Sequence, residues 1–201
     1  MDKKEILDKT KQFIFKSFNG ESTGHDYYHI ERVVKMAAFI AEKENADLFT
    51  VELAAWLHDV GDHKLNGGID KSKEMISHFL SGINVPDTAI ASVTEIVSQV
   101  SFSKGKTAET MEAKIVQDAD RLDAIGAMGL VRVFTYGGSK SRELYHPDDL
   151  SKPTTINHFY DKLLRLKDLM NTPTARRIAE DRHQYMEDFL QRFYQEWEVI
   201  V

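Results

Sequence analysis

The sequence contains no cysteine and only four prolines among 201 residues, and the first proline is Pro86. The absence of cysteine excludes disulfides, thiolate metal sites and cysteine nucleophiles. The longest run without charged or strongly polar residues is 124–131, far short of the roughly 20 residues that a transmembrane helix needs. The N-terminal residues also lack the apolar core of a signal peptide. We therefore expect a cytoplasmic protein with no membrane partner.

Basic residues are too few for a protein that binds nucleic acid without sequence preference. Lys and Arg number 26 and Asp and Glu number 32, so the formal net charge is −6. Such binding requires basic side chains that neutralise phosphates. A local basic cluster could still hold a small phosphorylated ligand. Because no repeat or Gly/Ser linker divides the chain, we expect a single domain over 1–201.

The scarcity of proline and the spacing of apolar residues predict an all-α fold. Apolar side chains recur at intervals of three and four, as in Ile30, Val33, Val34 and Ala37, whereas alternation with period two is absent. The pattern predicts a bundle of about eight helices, near 3–18, 26–44, 50–60, 69–80, 87–100, 109–134, 155–170 and 173–198. The last helix has the best-marked start, because Thr172 can cap it and Pro173 needs no N–H partner.

One long loop is expected at 135–154. This stretch contains Gly137, Gly138, Pro147 and Pro153. Compact domains rarely keep about 20 residues without secondary structure unless the segment has a function. We therefore predict a lid or a binding loop.

Histidine and aspartate occur together at the end of the third predicted helix. His58 and Asp59 follow the apolar run 53–56, which would draw them into the interior. Burial of both groups is costly unless each is paired or bound to a metal. A second histidine pair, His25 and His29, is spaced to share one helical face. Histidines in these positions can also simply satisfy each other or a nearby carboxylate in an ordinary core.

Three aspartates, Asp118, Asp120 and Asp123, lie on a predicted helix that is apolar around most of its circumference. Asp120 shares a face with Val116 and Ala124 and is therefore directed inward, while Asp123 follows one turn later and can support it. Asp118 lies on a different stripe. Some of these acids must meet a buried cation, which could be Arg121, another basic side chain or a metal.

The chemistry of these side chains favours a catalytic metal over a structural one. Nitrogen and oxygen donors without sulfur suit Mn²⁺, Fe²⁺, Co²⁺, Ni²⁺ or Zn²⁺, whereas a structural zinc cage usually contains cysteine.

The order of these residues resembles the H…HD…D signature of the HD-domain superfamily of metal-dependent phosphohydrolases. The similarity extends to four blocks, 24–29, 58–64, 117–126 and 157–160, and is strongest to the single-domain bacterial branch called YedJ-like or YpgQ-like. The resemblance implies an HD-domain helical bundle and a divalent cation, Mn²⁺ first, with Mg²⁺ a further alternative. It implies metal ligation by His29, His58, Asp59 and Asp120, with Asp118 the alternative to Asp120.

The resemblance also implies roles around the metal. Asp62 stands where relatives often carry an acid near the reacting phosphate, and it would share a face with His58 if the helix continued past that residue. His25, Asp118 and Asp123 would support the ligands from behind. A net negative protein needs local cations for phosphate, and the candidates are Arg32, Lys64, Lys104, Lys140 and Arg142.

The activity implied is phosphohydrolysis of a nucleotide, with a nucleoside triphosphate cleaved to monophosphate and pyrophosphate. The alternatives are a 5′-nucleotidase, a cyclic-nucleotide phosphodiesterase, a short alarmone hydrolase and a nonenzymatic metal-dependent nucleotide sensor. Asp62 argues against the sensor, because a sensor needs no group for proton transfer.

Overall fold

The computed structural model describes residues 2–19, 26–63, 67–100, 107–149 and 151–200. Two compact units divide the chain, Met1–Asp120 and Arg121–Val201, and each is described separately. The single domain over 1–201 remains a prediction. None of the helices in the described ranges is both long and apolar enough to cross a bilayer.

The first unit is built around a buried central helix. Its helices are α1 Lys3–Phe18, α2 Tyr27–Glu44, α3 Leu48–Leu57, α4 Ser72–Gly82, α5 Asp87–Val100 and α6 Met111–Asp123, the last of which ends in the second unit. Helix α3 is apolar on nearly all sides, and Val51, Leu53 and Leu57 have no exposed surface. It can therefore pack against α1, α2 and α5 at once.

The second unit contains α7 Gly126–Ser139, α8 Asn157–Asp161 and α9 Pro173–Trp197, together with two short 3₁₀ turns, Leu163–Arg165 and Lys167–Leu169. Helices α7 and α9 pack through aromatic side chains, with the rings of Phe134 and Phe189 5.8 Å apart. The start of α9 agrees with the sequence pattern, because Thr172 Oγ1 accepts the Ala175 N–H at 3.2 Å and Pro173 opens the helix.

The all-α prediction is confirmed, since the described residues form nine α-helices and no strand. The structure has one helix more than expected, because the single helix predicted at 109–134 is wrong: two helices occupy this stretch. Ile125 is extended and Gly126 has a φ of +74°, so α6 and α7 are separate helices. A Cβ on Gly126 would lie 2.9 Å from Arg182 Cγ, so the break depends on a contact that is remote in the sequence.

The expected loop 135–154 is also wrong at its beginning. Helix α7 continues through Gly137 and Gly138 to Ser139, because Gly137 packs directly against Thr155. The connection that follows is closed by two backbone hydrogen bonds, from Thr155 N–H to Glu143 O at 2.9 Å and from Ile156 N–H to Leu144 O at 3.0 Å.

The helix expected at 155–170 is not continuous. It consists of the five-residue α8 and the two 3₁₀ turns. Lys162, with φ −137° and ψ −58°, interrupts the helical backbone between them. The apolar residues Phe159, Leu163 and Leu166 of this segment are nevertheless buried, which explains why their spacing resembles that of one continuous helix.

Candidate metal centre

His29 lies in the first turn of α2 and is completely buried. Asp26 is the N-cap of this helix, and its carboxylate accepts the backbone N–H of His29 at 2.7 Å. The imidazole is therefore carried by a capped helix start.

His58 and Asp59 occupy the end of α3, where the helix gives way to turns. The helix ends at Leu57, three residues before the expected 60. Two tight turns follow, in which Val60 N–H donates to Leu57 O and Asp62 N–H donates to Asp59 O at 3.0 and 3.2 Å. Both His58 and Asp59 are nearly buried.

Gly61 holds this turn against the start of α4. Its φ is +71°, and its carbonyl accepts the Lys71 N–H at 2.9 Å. A Cβ at this position would lie 2.6 Å from the backbone nitrogen of Ser72. Glycine is required there for both its conformation and its size.

Three donors from three parts of the first unit, on His29, His58 and Asp120, lie within 4.8 Å of one another, and an oxygen of Asp59 lies close to both histidines. His29 Nε2 and His58 Nε2 lie 3.4 Å apart. Asp59 Oδ2 is 3.5 Å from the first nitrogen and 3.4 Å from the second. Asp120 Oδ1, on α6, is 3.5 and 3.9 Å from the same two atoms.

These separations fit ligands around a common cation. Two donors about 2.1 Å from one ion lie about 3.0 to 3.4 Å apart when the angle between them is about 90° to 109°. The observed distances start at the upper end of that range, so a small contraction would bring the donors into coordination. His29, His58 and Asp120 therefore form a cluster that can hold a metal ion.

The protonation of His58 is set by the backbone. Its Nδ1 lies 2.8 Å from the carbonyl oxygen of Ala55. Because a carbonyl can only accept, Nδ1 carries the proton and Nε2 presents a lone pair to the cluster. A histidine ligand whose second nitrogen donates to a carbonyl is the usual arrangement in metal sites.

The geometry distinguishes the two aspartates of α6. Asp120 contributes an oxygen to the cluster, and its side chain is 27% exposed. Asp118 is completely buried, and of the two it is Asp120 that belongs to the group of three donors within 4.8 Å of one another; Asp59, like Asp118, is outside that group. The structure therefore favours Asp120, although the ligand role of each residue remains a prediction.

Asp62 does not share a helical face with His58, because α3 ends at Leu57 and the helix on which that arrangement depended does not continue past His58. Its side chain is 7% exposed, and its Oδ1 lies 3.1 Å from His63 Nδ1. The acid is therefore held by the turn that also carries His58 and Asp59.

The remaining sequence candidates fall into different environments. Asp123 Oδ2 accepts from Arg132 Nη1 at 2.7 Å within the second unit. Arg32 is half-buried on α2. The cationic groups of Lys140 and Arg142 each lie 5.8 Å from the centre of the Tyr136 ring. His25, Lys64 and Lys104 lie outside the described residues.

His158 lies within the electrostatic influence of Arg142, one of the phosphate candidates. Burial lowers the pKa of His158, and the positive charges of Lys162 and Arg142 lower it further, while Asp161 acts in the opposite direction. Arg142, His158 and Lys162 are all half-buried. The charges of Arg142 and Lys162 therefore both act on His158 in the second unit.

Sequence reasoning missed the groups that support the ligands. The carbonyl of Ala55 has no sequence signal, since every residue carries one. The buried carboxamide of Gln117 donates to Gln99 O at 2.7 Å and ties α6 to the end of α5. Asp26 had a signal, because an aspartate three residues before His29 fits an N-cap, but the predicted helix began at 26 and placed this residue inside it.

Comparisons with known proteins agree with this geometry. The HD domain family matches residues 26–125, a range that contains all four converging side chains and Asp62. The uncharacterized protein YpgQ of Bacillus subtilis is 45% identical over 176 residues, covering 86% of this chain and 84% of YpgQ.

Solved structures show the same similarity. An HD-superfamily hydrolase from Bacillus thuringiensis is 42% identical with a TM-score of 0.84, covering 98% of this chain and 99% of that one. The crystal structure of Bacillus subtilis YpgQ in complex with ADP is 39% identical with a TM-score of 0.81, covering 94% and 97% of the two chains. The chain therefore belongs to the HD-domain family and is a metal-dependent hydrolase of the HD superfamily.

Proposed function

We propose that this hydrolase uses a divalent cation, Mn²⁺ first, to cleave a nucleoside triphosphate into the monophosphate and pyrophosphate. The observation that carries the proposal is the convergence of His29 Nε2, His58 Nε2, Asp59 Oδ2 and Asp120 Oδ1 within 3.9 Å along each measured pair. A nucleotide is the proposed ligand because YpgQ was crystallised with ADP.

The donor set supports a cation of intermediate hardness. Two imidazole nitrogens and two carboxylate oxygens suit Mn²⁺, Fe²⁺, Co²⁺, Ni²⁺ and Zn²⁺, and Mg²⁺ less well because it prefers oxygen and water. When bound, such an ion polarises water and phosphate oxygens. His29, His58, Asp59 and Asp120 are the residues that we propose to hold it.

Asp62 is the proposed proton-transfer group. Its carboxylate lies in the turn that follows Asp59, and His63 Nδ1 holds its Oδ1 at 3.1 Å. An acid that is positioned in this way can accept a proton from the attacking water and return one to the leaving group. In a nonenzymatic sensor this arrangement would have no purpose.

Phosphate charge requires positive side chains as well as the metal. Arg32, one turn after His29, is the proposed cation of the first unit. Lys140 and Arg142 are the proposed cations of the second unit, and Lys64 and Lys104 complete the sequence-based set. Arginine is well suited to this role because its fork of N–H groups can bind two phosphate oxygens.

The test is product analysis with metal-free protein restored with Mn²⁺. Nucleoside triphosphates, ADP, AMP and a cyclic nucleotide are incubated separately, and pyrophosphate and orthophosphate are measured by independent assays. Pyrophosphate from a triphosphate is the expected result. Orthophosphate from AMP would identify a 5′-nucleotidase, and AMP from the cyclic substrate a phosphodiesterase. Binding of metal and nucleotide with no turnover would identify a sensor.

Four variants assign the residues in the same assay. We expect Asp62→Asn to bind Mn²⁺ but to turn over about 10²- to 10⁴-fold more slowly. His58→Ala should lose both Mn²⁺ binding and turnover. Asp188→Asn, an exposed carboxylate of α9, is the matched control and should match the parent protein. Full turnover in Asp62→Asn would remove that residue from the mechanism. Asp120→Asn should lose Mn²⁺; retention there would point back to Asp118.

A further inference from the structure

Asp26 belongs to a sequence block that the proposed function leaves partly unexplained. The block 24–29 contains His29, but neither the converging donors nor the phosphate candidates include Asp26. Asp26 stands at the N-cap of α2 with extended backbone, φ −80° and ψ 170°, and its carboxylate accepts from His29 N–H at 2.7 Å.

This bond involves the same residue that supplies a donor to the cluster. The first amides of a helix have no partner within the helix, and a helix start without a cap frays. His29 is the third residue of α2, so fraying of the first turn would move its imidazole directly. The next residue after the cap adds a second restraint, because the buried Tyr27 ring packs 6.0 Å from Trp56 on α3.

Metal binding requires the position of His29 Nε2 to be precise. His29 Nε2 must lie close to three other donors, and the observed distances to them are 3.4 to 3.5 Å. Fraying of the first turn would therefore move this nitrogen relative to the other donors. His58 is fixed through its own ring by the Ala55 carbonyl at 2.8 Å.

We propose that Asp26 is a positioning residue of the metal centre, which holds His29 Nε2 in place by capping α2. The inference rests on the proposed metal-binding function. It assigns to Asp26 neither contact with the metal nor a role in proton transfer. The prediction is that the hydrogen-bond acceptor at position 26 matters for metal affinity.

Helix α1 provides a matched control. Asp2 is its N-cap, and the carboxylate accepts the N–H of Glu5 at 2.7 Å, with the same spacing and the same distance as Asp26 and His29. No residue that α1 contributes to the described structure belongs to the donor cluster. Removal of either cap therefore breaks the same kind of hydrogen bond, but only the cap of α2 holds a helix start that carries a proposed metal ligand.

The experiment measures Mn²⁺ affinity by calorimetry and the visible spectrum of the Co²⁺ protein, together with thermal unfolding of the metal-free chain. Loss of groups that orient metal ligands typically lowers affinity by about 10- to 100-fold, and we expect this for Asp26→Ala. Asp26→Asn and Asp26→Ser should retain most of the affinity, since both side chains are good caps. Asp2→Ala should lower the unfolding temperature and leave Mn²⁺ affinity unchanged.

Parent affinity in Asp26→Ala would overturn the proposal. Equal losses in the Ala, Asn and Ser variants would also overturn it, because they would indicate a direct role for the carboxylate. If Asp26→Ala does not fold, Asp26→Thr replaces it. Threonine is a weaker cap than serine, so its affinity must lie below that of Asp26→Ser. Absence of Mn²⁺ binding in the parent protein is a separate result, which would contradict the proposed function.

Discussion

Half-burial of His158 makes protonation of its imidazole unfavourable in the folded protein. Burial lowers its pKa below the ordinary 6.5, and the charges of Lys162 and Arg142 act in the same direction, whereas Asp161 opposes them. In the unfolded chain these neighbours disperse and the pKa returns to its ordinary value. The unfolded chain therefore takes up the proton first as the pH falls.

The sign of the pH dependence follows from this difference. Stability increases with pH wherever the unfolded state binds more protons. The contribution of His158 is present above pH 6.5 and is lost as the pH falls through the lower folded pKa. The free energy of unfolding, measured by urea denaturation, should fall less between neutral and mildly acidic pH in His158→Gln than in the parent protein. The same loss of stability with falling pH in His158→Gln and in the parent protein would contradict the assignment.

Two adjacent glycines of α7 show how an element depends on its neighbours. Gly137 and Gly138 are both helical. A Cβ on Gly137 would lie 2.4 Å from Thr155 Oγ1, whereas a Cβ on Gly138 would meet nothing within 4 Å. The same residue type therefore has a packing role at one position and none at the next.

Alanine substitution should separate the two roles. Gly138→Ala should raise the free energy of unfolding by about 0.5–1 kcal/mol, because alanine is the better helix former. Gly137→Ala should lower it by about 1–3 kcal/mol, because the added methyl overpacks the contact with Thr155. Urea denaturation of both variants measures the difference. Stabilisation by Gly137→Ala would show that Thr155 gives way easily.

On the scale of the whole chain, the proposed ligands connect residues that are remote in the sequence. His29 belongs to α2, His58 and Asp59 follow α3, and Asp120 lies on α6. The unfolded chain cannot hold these donors together, so an ion that binds them stabilises the folded state by mass action.

Metal should therefore raise the unfolding temperature. At a free concentration of about 100 times the dissociation constant, the gain is about 2.7 kcal/mol. We expect Mn²⁺ to raise the melting temperature and a chelator to reverse the shift in calorimetric scans. Asp120→Asn should show little shift with Mn²⁺. A melting temperature that did not depend on metal in the parent protein would contradict binding at this cluster.

The helices that the sequence predicted well have local signals. Thr172 and Pro173 mark the start of α9, and regular apolar spacing marks α1, α2 and α5, so no distant contact is needed to place them. The failures have remote causes. The helix expected at 109–134 is broken where Gly126 meets Arg182, and α7 extends past 135 because Gly137 fits against Thr155.

The order of residues along the chain was enough to establish the helical class, the nitrogen and oxygen character of the donors, and the resemblance to HD-domain hydrolases. Only the packed molecule brings His29, His58, Asp59 and Asp120 close together and turns Nε2 of His58 toward the other donors. Composition and spacing are properties of short segments. The distance between side chains on α2, α3 and α6 depends instead on how those helices pack around their shared core.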